Sequence, residues 1–343
     1  MNSSTPSRPV AIWLLSGCFL IFSMVVIGGI TRLTGSGLSI TEWNVIMGAI
    51  PPMSQQDWEI AFEKYKQIPQ YTEVNSYFGL EEFKSIFWWE FIHRLVGRLI
   101  GVVFLLPFLY FLFTRKLDAA MVRKSVLLFA LGGLQGFLGW FMVKSGLTEL
   151  TSVSHIRLAI HLTTAFITFG FTFWFALQLL EKEKPAVASP SIRRWSVVLL
   201  TVLTVQLIYG AFVAGLHAGK MFNTFPMMNG DVLPTGGWVT ALGIENIFNN
   251  PATVQFIHRF FAFAIVFVVG KIPTVKAFSR HTVARYCRQV FIGFDLHTGF
   301  TGNPYRALPG ANYPFFASPD RRFLPFHGDH SYRVQISDTL KEG

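Results

Sequence analysis

Charged residues and cysteine are both scarce in this sequence. Of its 343 residues, 14% are charged and 51% are hydrophobic, which excludes an ordinary soluble globular domain of this size. The two cysteines are Cys18, in the first apolar segment, and Cys287, which follows the last one. They cannot pair in the topology predicted below, so neither a disulfide framework nor a thiolate metal site is expected.

The apolar residues gather in segments of the length that crosses a bilayer. A membrane helix needs about 20 mostly apolar residues, and windows of this kind occur at 11–30, 86–113, 126–143, 158–180, 197–216 and 253–270. The sequence therefore predicts an all-α polytopic membrane protein with six transmembrane helices.

Basic residues indicate the orientation of these helices. The formal net charge is +10, but the lysines and arginines are spread over several loops, so nucleic acid is not expected as a partner. They cluster after the second, fourth and sixth apolar segments, whereas segment 31–85 is rich in glutamate. By the positive-inside rule the N-terminus is cytoplasmic, and segment 31–85, called the outer loop below, lies on the outer side.

The N-terminal residues favour a bacterial inner membrane. The first apolar segment is too long for the apolar region of a signal peptide and lacks a convincing cleavage pattern, so we expect it to be retained. Residues 1–9 are too few and too poorly charged for a mitochondrial transit peptide. We expect a multi-pass protein of the bacterial inner membrane, with the mitochondrial inner membrane as the less favoured alternative.

Parts of the chain repeat each other. The sequence EFIHR at 90–94 returns as QFIHR at 255–259, and the first and fifth apolar segments have similar glycine-rich ends. Tandem duplication of a four-helix unit explains both similarities. The expected units are 1–183, which includes the outer loop, and 184–287, which holds only two helices.

The second unit is therefore predicted to be incomplete. Residues 288–343 contain no apolar stretch long enough for a membrane helix, and prolines interrupt them repeatedly, so this tail is not expected to cross the membrane. It is either a cytoplasmic extension or the result of a truncation or reading-frame change near Cys287. The regularity of the duplication favours the second explanation.

Three histidines lie inside apolar segments at a similar depth. His93, His161 and His258 each fall about six to eight residues from the predicted outer end of a segment, and ionisable residues inside membrane helices are functional candidates because they are costly there. A single such histidine more often bonds between helices. The shared depth and the repeated setting together favour haem ligation, whereas His155 and His217, at or beyond segment ends, are weaker candidates.

Glu90 is the candidate for proton chemistry. It precedes His93 by one helical turn, and its counterpart in the second unit is the neutral Gln255. A carboxylate can move a proton where an amide cannot, which suggests a reacting site in the first unit and a cofactor site in the second. A purely structural ion pair between Glu90 and Arg94 is an equal alternative.

In combination these motifs resemble the haem A synthase family. They are TRLTGSGLS at 31–39, EFIHRLVGR at 90–98, LGGLQGFLGWFMVKSGL at 131–147, HLTTAF at 161–166, VAGLHAGKMFNTFPMM at 213–228 and QFIHR at 255–259. The resemblance covers about residues 10–287. It implies eight membrane helices in two halves and an oxidoreductase that converts the C8 methyl of haem O to the formyl of haem A, by two hydroxylations and loss of water.

The resemblance also implies roles for individual residues. In this family the N-terminal half handles the substrate, which implies that His93 and His161 flank haem O and that Glu90 is the acidic residue of the reaction. The C-terminal half holds haem b as a cofactor, with His258 as one axial ligand to its iron. The helix that would supply the second ligand is missing from the predicted spans, so a catalytically impaired, truncated synthase is one alternative.

Two other functions fit parts of the pattern. A cytochrome b-type electron-transfer protein also holds haem between histidines, although no predicted helix here carries the stacked pair that such proteins often use. A transporter fits the repeat but calls for broken helices at matching positions. The expected partners are haem O and the enzyme that makes it, a membrane electron donor of unknown identity and the lipid bilayer; homo-oligomerisation is left open.

Overall fold

The computed structural model describes residues 8–44, 47–148, 150–180, 190–234 and 236–272 of the chain. Its α-helices over these residues are, in chain order, Arg8–Leu33 (α1), Gln55–Tyr65 (α2), Leu80–Phe113 (α3), Ala119–Thr148 (α4), His155–Leu180 (α5), Pro190–Gly215 (α6), Ala218–Met221 (α7), Asn246–Asn249 (α8) and Pro251–Lys271 (α9). Apart from one isolated bridge, the described residues contain no β-structure. The all-α prediction is confirmed.

Six of these helices, α1, α3, α4, α5, α6 and α9, are long and apolar enough to cross a membrane, counting the described residues only. Each coincides with one predicted apolar segment and begins a few residues before it, because helical geometry continues into the polar flanks, where water and caps satisfy the backbone. The multi-pass architecture is confirmed. The tail at 288–343 lies outside the described residues, and the limits of the two units stay predictions.

The first and fifth membrane helices end in the same kind of turn. Gly35, just after α1, has a φ of +67°, and His217, just after α6, has a φ of +53°. These two residues occupy matching positions in the glycine-rich ends that the sequence repeats. A residue with a left-handed backbone conformation commonly ends a helix, and histidine adopts this conformation more readily than most residues with side chains do.

Helix packing leaves an opening in the first unit. There α1 packs against α3 and α5, and α4 packs against α5, but α3 and α4 touch each other only sparsely. The second unit continues from α5, which packs against α6, and α6 packs in turn against α9. The gap therefore lies between α3, which carries His93, and α4, which packs against α5, the helix of His161.

Arg32 joins the two units at their outer end, the end that the charge pattern predicts to face outward. Its guanidinium donates to the backbone oxygen of Ala214 at 3.0 Å and to that of Gly215 at 2.7 Å. These carbonyls belong to the last turn of α6, where a positive charge stabilises the helix dipole and satisfies oxygens without helical partners. The same Gly215 backbone packs so closely on His155 that a side chain there would collide with it.

An aromatic cluster holds α2 against the outer end of α3. Tyr65 and Phe83 are fully buried, with ring centroids 5.2 Å apart, and Trp58 lies edge-on to Phe87 at 4.9 Å. Burying an aromatic side chain of this size stabilises a fold by about 1.5–3 kcal/mol. The outer loop is thus an ordered cap on the first unit.

The Tyr65 hydroxyl links this cap to the turn that ends α1. It accepts a hydrogen bond from Asn75 at 2.8 Å and lies 3.2 Å from the carboxamide oxygen of Gln70. The amide nitrogen of Gln70 in turn donates to the backbone oxygen of Gly35 at 3.0 Å. Burial raises the pKa of Tyr65 to about 12, so the phenol is protonated and can donate to Gln70.

We expect Tyr65→Phe to loosen the outer loop without abolishing the fold. The substitution leaves the buried Gln70 carboxamide and the half-buried Asn75 amide without this partner, at a cost of about 1–3 kcal/mol. Trypsin should then cut faster in this segment of the purified protein. Tyr77→Phe, at a ring that is 66% exposed, is the control; equal cleavage of the two variants would contradict the structural role of Tyr65.

Candidate functional site

His93 of α3 and His161 of α5 come together in the first unit. The two imidazoles lie within electrostatic reach of each other, and both are half-buried although they sit within membrane helices. The structure therefore brings together two of the histidines singled out from the sequence.

A glycine of a neighbouring helix lies against each ring. A Cβ atom on Gly28 of α1 would stand 3.2 Å from Nε2 of His93, and one on Gly139 of α4 would stand 3.5 Å from Cε1 of His161. A side chain at Gly28 would crowd the His93 ring, so this glycine helps to set where the ring stands. At Gly139 a Cβ atom would make an ordinary van der Waals contact with His161.

Open space continues beside the histidines. A Cβ atom on Gly132 or Gly136, which share the face of α4 with Gly139, would meet nothing within 4 Å, and the same holds for Gly101 two turns below His93. Together with the sparse contact between α3 and α4, these positions leave open space along both helices, called the histidine slot below.

Gln135 is a second polar neighbour of His161. With its amide nitrogen turned toward α5, the Gln135 side chain lies 3.2 Å from Nδ1 of His161. In this orientation the amide nitrogen also donates to the backbone oxygen of His161 at 3.3 Å, and the amide oxygen accepts from the Ala165 amide at 2.9 Å. Gln135 therefore links α4 to the His161 ring and to the backbone of α5.

Glu90 is buried beside this slot in a dense set of hydrogen bonds. Its side chain is 3% exposed. One carboxylate oxygen accepts from the Ser39 hydroxyl at 2.8 Å and the Ile40 amide at 2.9 Å, and the other accepts from Arg94 at 2.5 and 3.0 Å. The ion pair with Arg94 that the sequence allowed is present. Both carboxylate oxygens are engaged.

Arg94 extends this network along the outer loop. Its guanidinium donates to the backbone oxygens of Ile40 at 2.8 Å and Glu42 at 2.7 Å, and it stacks on the Trp43 ring with 4.8 Å to the centroid. Arg98, one turn further along α3, donates to the backbone oxygen of Asn44 at 2.9 Å. Loop residues 39–44 are therefore fixed alongside α3 by hydrogen bonds to three successive side chains of that helix, Glu90, Arg94 and Arg98.

Glu42 also ties the loop to α2. Its carboxylate pairs with Lys64 at 2.6 Å, and this hydrogen bond lowers the pKa of Glu42 below its ordinary value.

Behind the loop lies a separate cavity of about 360 Å³, whose walls include Phe87, Phe91 and Arg94 but none of the candidate histidines.

His258 of α9 occupies the matching place in the second unit. A Cβ atom on Gly210 of α6 would stand 3.2 Å from Cε1 of His258, and the Gln206 amide nitrogen lies 3.4 Å from Nε2 of that ring. The buried carboxamide oxygens of Gln206 and Gln255 accept no hydrogen bond from the described residues. The glycine–imidazole approach is thus repeated, but the Glu90 ion pair is not.

Arg259 anchors a loop in the second unit much as Arg94 does in the first. It donates to the backbone oxygens of Phe222 at 2.6 Å and Met227 at 3.3 Å. The segment after α6 is thereby fixed against α9 without help from a carboxylate on the preceding turn, where Gln255 stands.

The two weaker candidates lie at the junction of the units. His155 pairs with Asn249 at 3.1 Å, and His217 lies 3.3 Å from the Arg32 guanidinium. Partial burial, together with the positive charges of Arg32 and Lys220, lowers the pKa of His217 to about 4. Its ring is therefore neutral at neutral pH and accepts from Arg32. Neither histidine belongs to the slot described above.

Comparison with known proteins gives consistent matches. Residues 11–295 match the family model COX15-CtaA, described as cytochrome oxidase assembly protein. The Heme A synthase of Nitrosomonas eutropha is 46% identical over 265 residues, 76% of this chain and 74% of the relative. That of Bradyrhizobium diazoefficiens is 49% identical over 277 residues, 80% of this chain and 76% of the relative. No solved structure matches the chain.

We expect Glu90→Gln to release the outer loop from α3. The neutral amide leaves the buried Arg94 charge without its counter-ion, at a cost of about 3 kcal/mol or more. Hydrogen exchange should speed up at residues 39–44, beginning with the Ile40 amide. Glu59→Gln, at an exposed carboxylate of α2, is the matched control. Unchanged exchange in Glu90→Gln would refute the anchoring role.

Proposed function

Since this chain belongs to the haem A synthase family, we propose that His93 and His161 hold haem O while its C8 methyl group is oxidised to the formyl group of haem A. The family's enzymes are oxidoreductases that convert haem O to haem A, and the chain is a multi-pass protein of the bacterial inner membrane.

One observation carries the proposal for the substrate site. Two half-buried histidines on different helices, each close to a glycine of a neighbouring helix, lie beside the open space along α3 and α4. Imidazole is a common axial ligand of haem iron, and the glycines supply the clearance that the macrocycle needs. His93 and His161 would fix the position of the ring and hence of its methyl substituent.

Glu90 is proposed to serve the reaction by keeping the outer loop closed over this slot. Its four hydrogen bonds leave no free carboxylate oxygen in the structure, so a direct proton transfer needs one of them to break first. Release from Arg94 would free an oxygen one helical turn from His93. The loop-anchoring role and a proton-transfer role at the same residue are therefore compatible.

His258 is proposed as an axial ligand of haem b. It fits this cofactor because Gly210 gives it the same close glycine neighbour that His93 has, and because unsatisfied carboxamide oxygens of Gln206 and Gln255 lie buried nearby. A bound haem b would supply one-electron transfer. The sequence predicts no membrane helix to carry a second ligand among residues 288–343, and these residues lie outside the described part of the chain.

The relatives are named for the synthase reaction, and the cytochrome b-type alternative has no comparable support. The enzyme that supplies haem O, the membrane electron donor and homo-oligomerisation stay predictions.

Co-expression with a haem O source tests the proposed reaction. Extracted pigments should contain haem A, and His93→Ala or His161→Ala should abolish it because each removes an axial ligand. His217→Asn is the control, since asparagine tolerates the left-handed backbone there and the residue lies outside the slot. Haem A from either alanine variant, or none from the unaltered chain, would refute the proposal.

The glycines allow the two haem sites to be perturbed separately. Gly28→Ala should displace His93 and lower haem A production, since a misplacement of about 1 Å can cost a hundredfold in rate. Gly210→Ala should instead weaken haem b absorption by displacing His258. Gly29→Ala is the matched control, because a Cβ atom there meets nothing within 4 Å. Identical effects at Gly28 and Gly29 would contradict the assignment of His93.

A further inference from the structure

Trp43 crosses the opening between α3 and α4. On the α3 side, the Arg94 guanidinium lies 4.8 Å from the centroid of the Trp43 ring. On the α4 side, the ring tip, Cη2, lies 3.9 Å from the position of a Cβ atom on Gly139, which stands 3.5 Å from His161. The indole therefore lies over the outer edge of the histidine slot.

The backbone on both sides of Trp43 is held in place. The backbone oxygen of Glu42 accepts from Arg94 at 2.7 Å, and that of Asn44 accepts from Arg98 at 2.9 Å. Arg94 is itself fixed by the buried carboxylate of Glu90. A tryptophan between two anchored carbonyls has little freedom to move away from the slot.

Core packing does not account for this placement. Trp43 belongs to none of the three buried apolar clusters of the described residues, and its side chain is 40% exposed. A large ring that is anchored this firmly yet left partly uncovered offers an apolar face to a ligand. The slot it borders is the proposed haem site.

We propose that Trp43 is a substrate-positioning residue that packs on the edge of the porphyrin and retains the hydroxylated intermediate between the two oxidations. This inference rests on the proposed function. The first hydroxylation converts the C8 methyl to a hydroxymethyl group, which makes the haem more polar and favours its escape. A second oxidation at the same carbon, followed by loss of water to the formyl group, requires that the intermediate stay bound.

Product partition tests this role directly. With a haem O source, the unaltered chain should yield mainly haem A, whereas Trp43→Ala should raise the ratio of hydroxymethyl haem to haem A about tenfold, the loss expected for one aromatic contact. Trp43→Phe should give an intermediate ratio because it keeps a smaller ring. Trp238→Ala, at another outer-side tryptophan that is 54% exposed, should leave the ratio unchanged.

A binding measurement keeps the test independent of turnover. Purified chain loaded with haem O is mixed with excess apomyoglobin, and the rate of haem transfer is followed optically. In a His258→Ala background, which leaves only the first site, Trp43→Ala and Trp43→Leu should both release haem about tenfold faster, while His93→Ala should fail to load.

The outcomes separate the two proposals. An unchanged partition ratio and an unchanged release rate in well-folded Trp43 variants would overturn the role of Trp43 and leave the synthase function standing. Faster release from a chain that makes no haem A would support Trp43 as a haem contact and count against the synthase reaction. Equal effects in Trp43→Ala and Trp238→Ala would also overturn the role of Trp43.

Discussion

The proposed chemistry depends on one close approach, in which the backbone of a glycine lies against an imidazole of the next helix. Gly28 meets His93 in the first unit and Gly210 meets His258 in the second, each with a Cβ position 3.2 Å from the ring. Membrane helices associate through such close backbone packing because lipid offers no hydrophobic drive between them. The close glycine backbone limits the positions that each imidazole can take. In the first unit, the opening between α3 and α4 then leaves room for a ligand beside His93.

The two units differ where their proposed roles differ. In the first, a buried carboxylate at Glu90 pairs with Arg94 and fixes the outer loop over the slot; in the second, Gln255 stands in that place and Arg259 fixes its loop alone. A buried ion pair contributes little net stability but is costly to break. Its retention in the first unit is consistent with a site that must be closed around a reacting substrate rather than a permanently bound cofactor.

The membrane helices could be predicted from the sequence because their apolar segments are long and nearly free of charge. The candidate histidines could be found because the distance of each from the end of its apolar segment can be counted directly in the sequence. The roles of Trp43, Gln135 and Arg32 could not, since they arise from contacts between helices far apart in the chain, as between Arg32 and Ala214. Helical periodicity also could not show that both carboxylate oxygens of Glu90 accept hydrogen bonds, because two of the donors, Ser39 and Ile40, lie in a loop.

Electron paramagnetic resonance of the ferric haem O complex tests the central claim most directly. The measurement would use His258→Ala protein, to leave only the first site, with histidine labelled by ¹⁵N. The account predicts a low-spin signal with hyperfine coupling to two histidine nitrogens. A high-spin signal, or coupling to a single histidine nitrogen, would contradict the picture of haem held between His93 and His161.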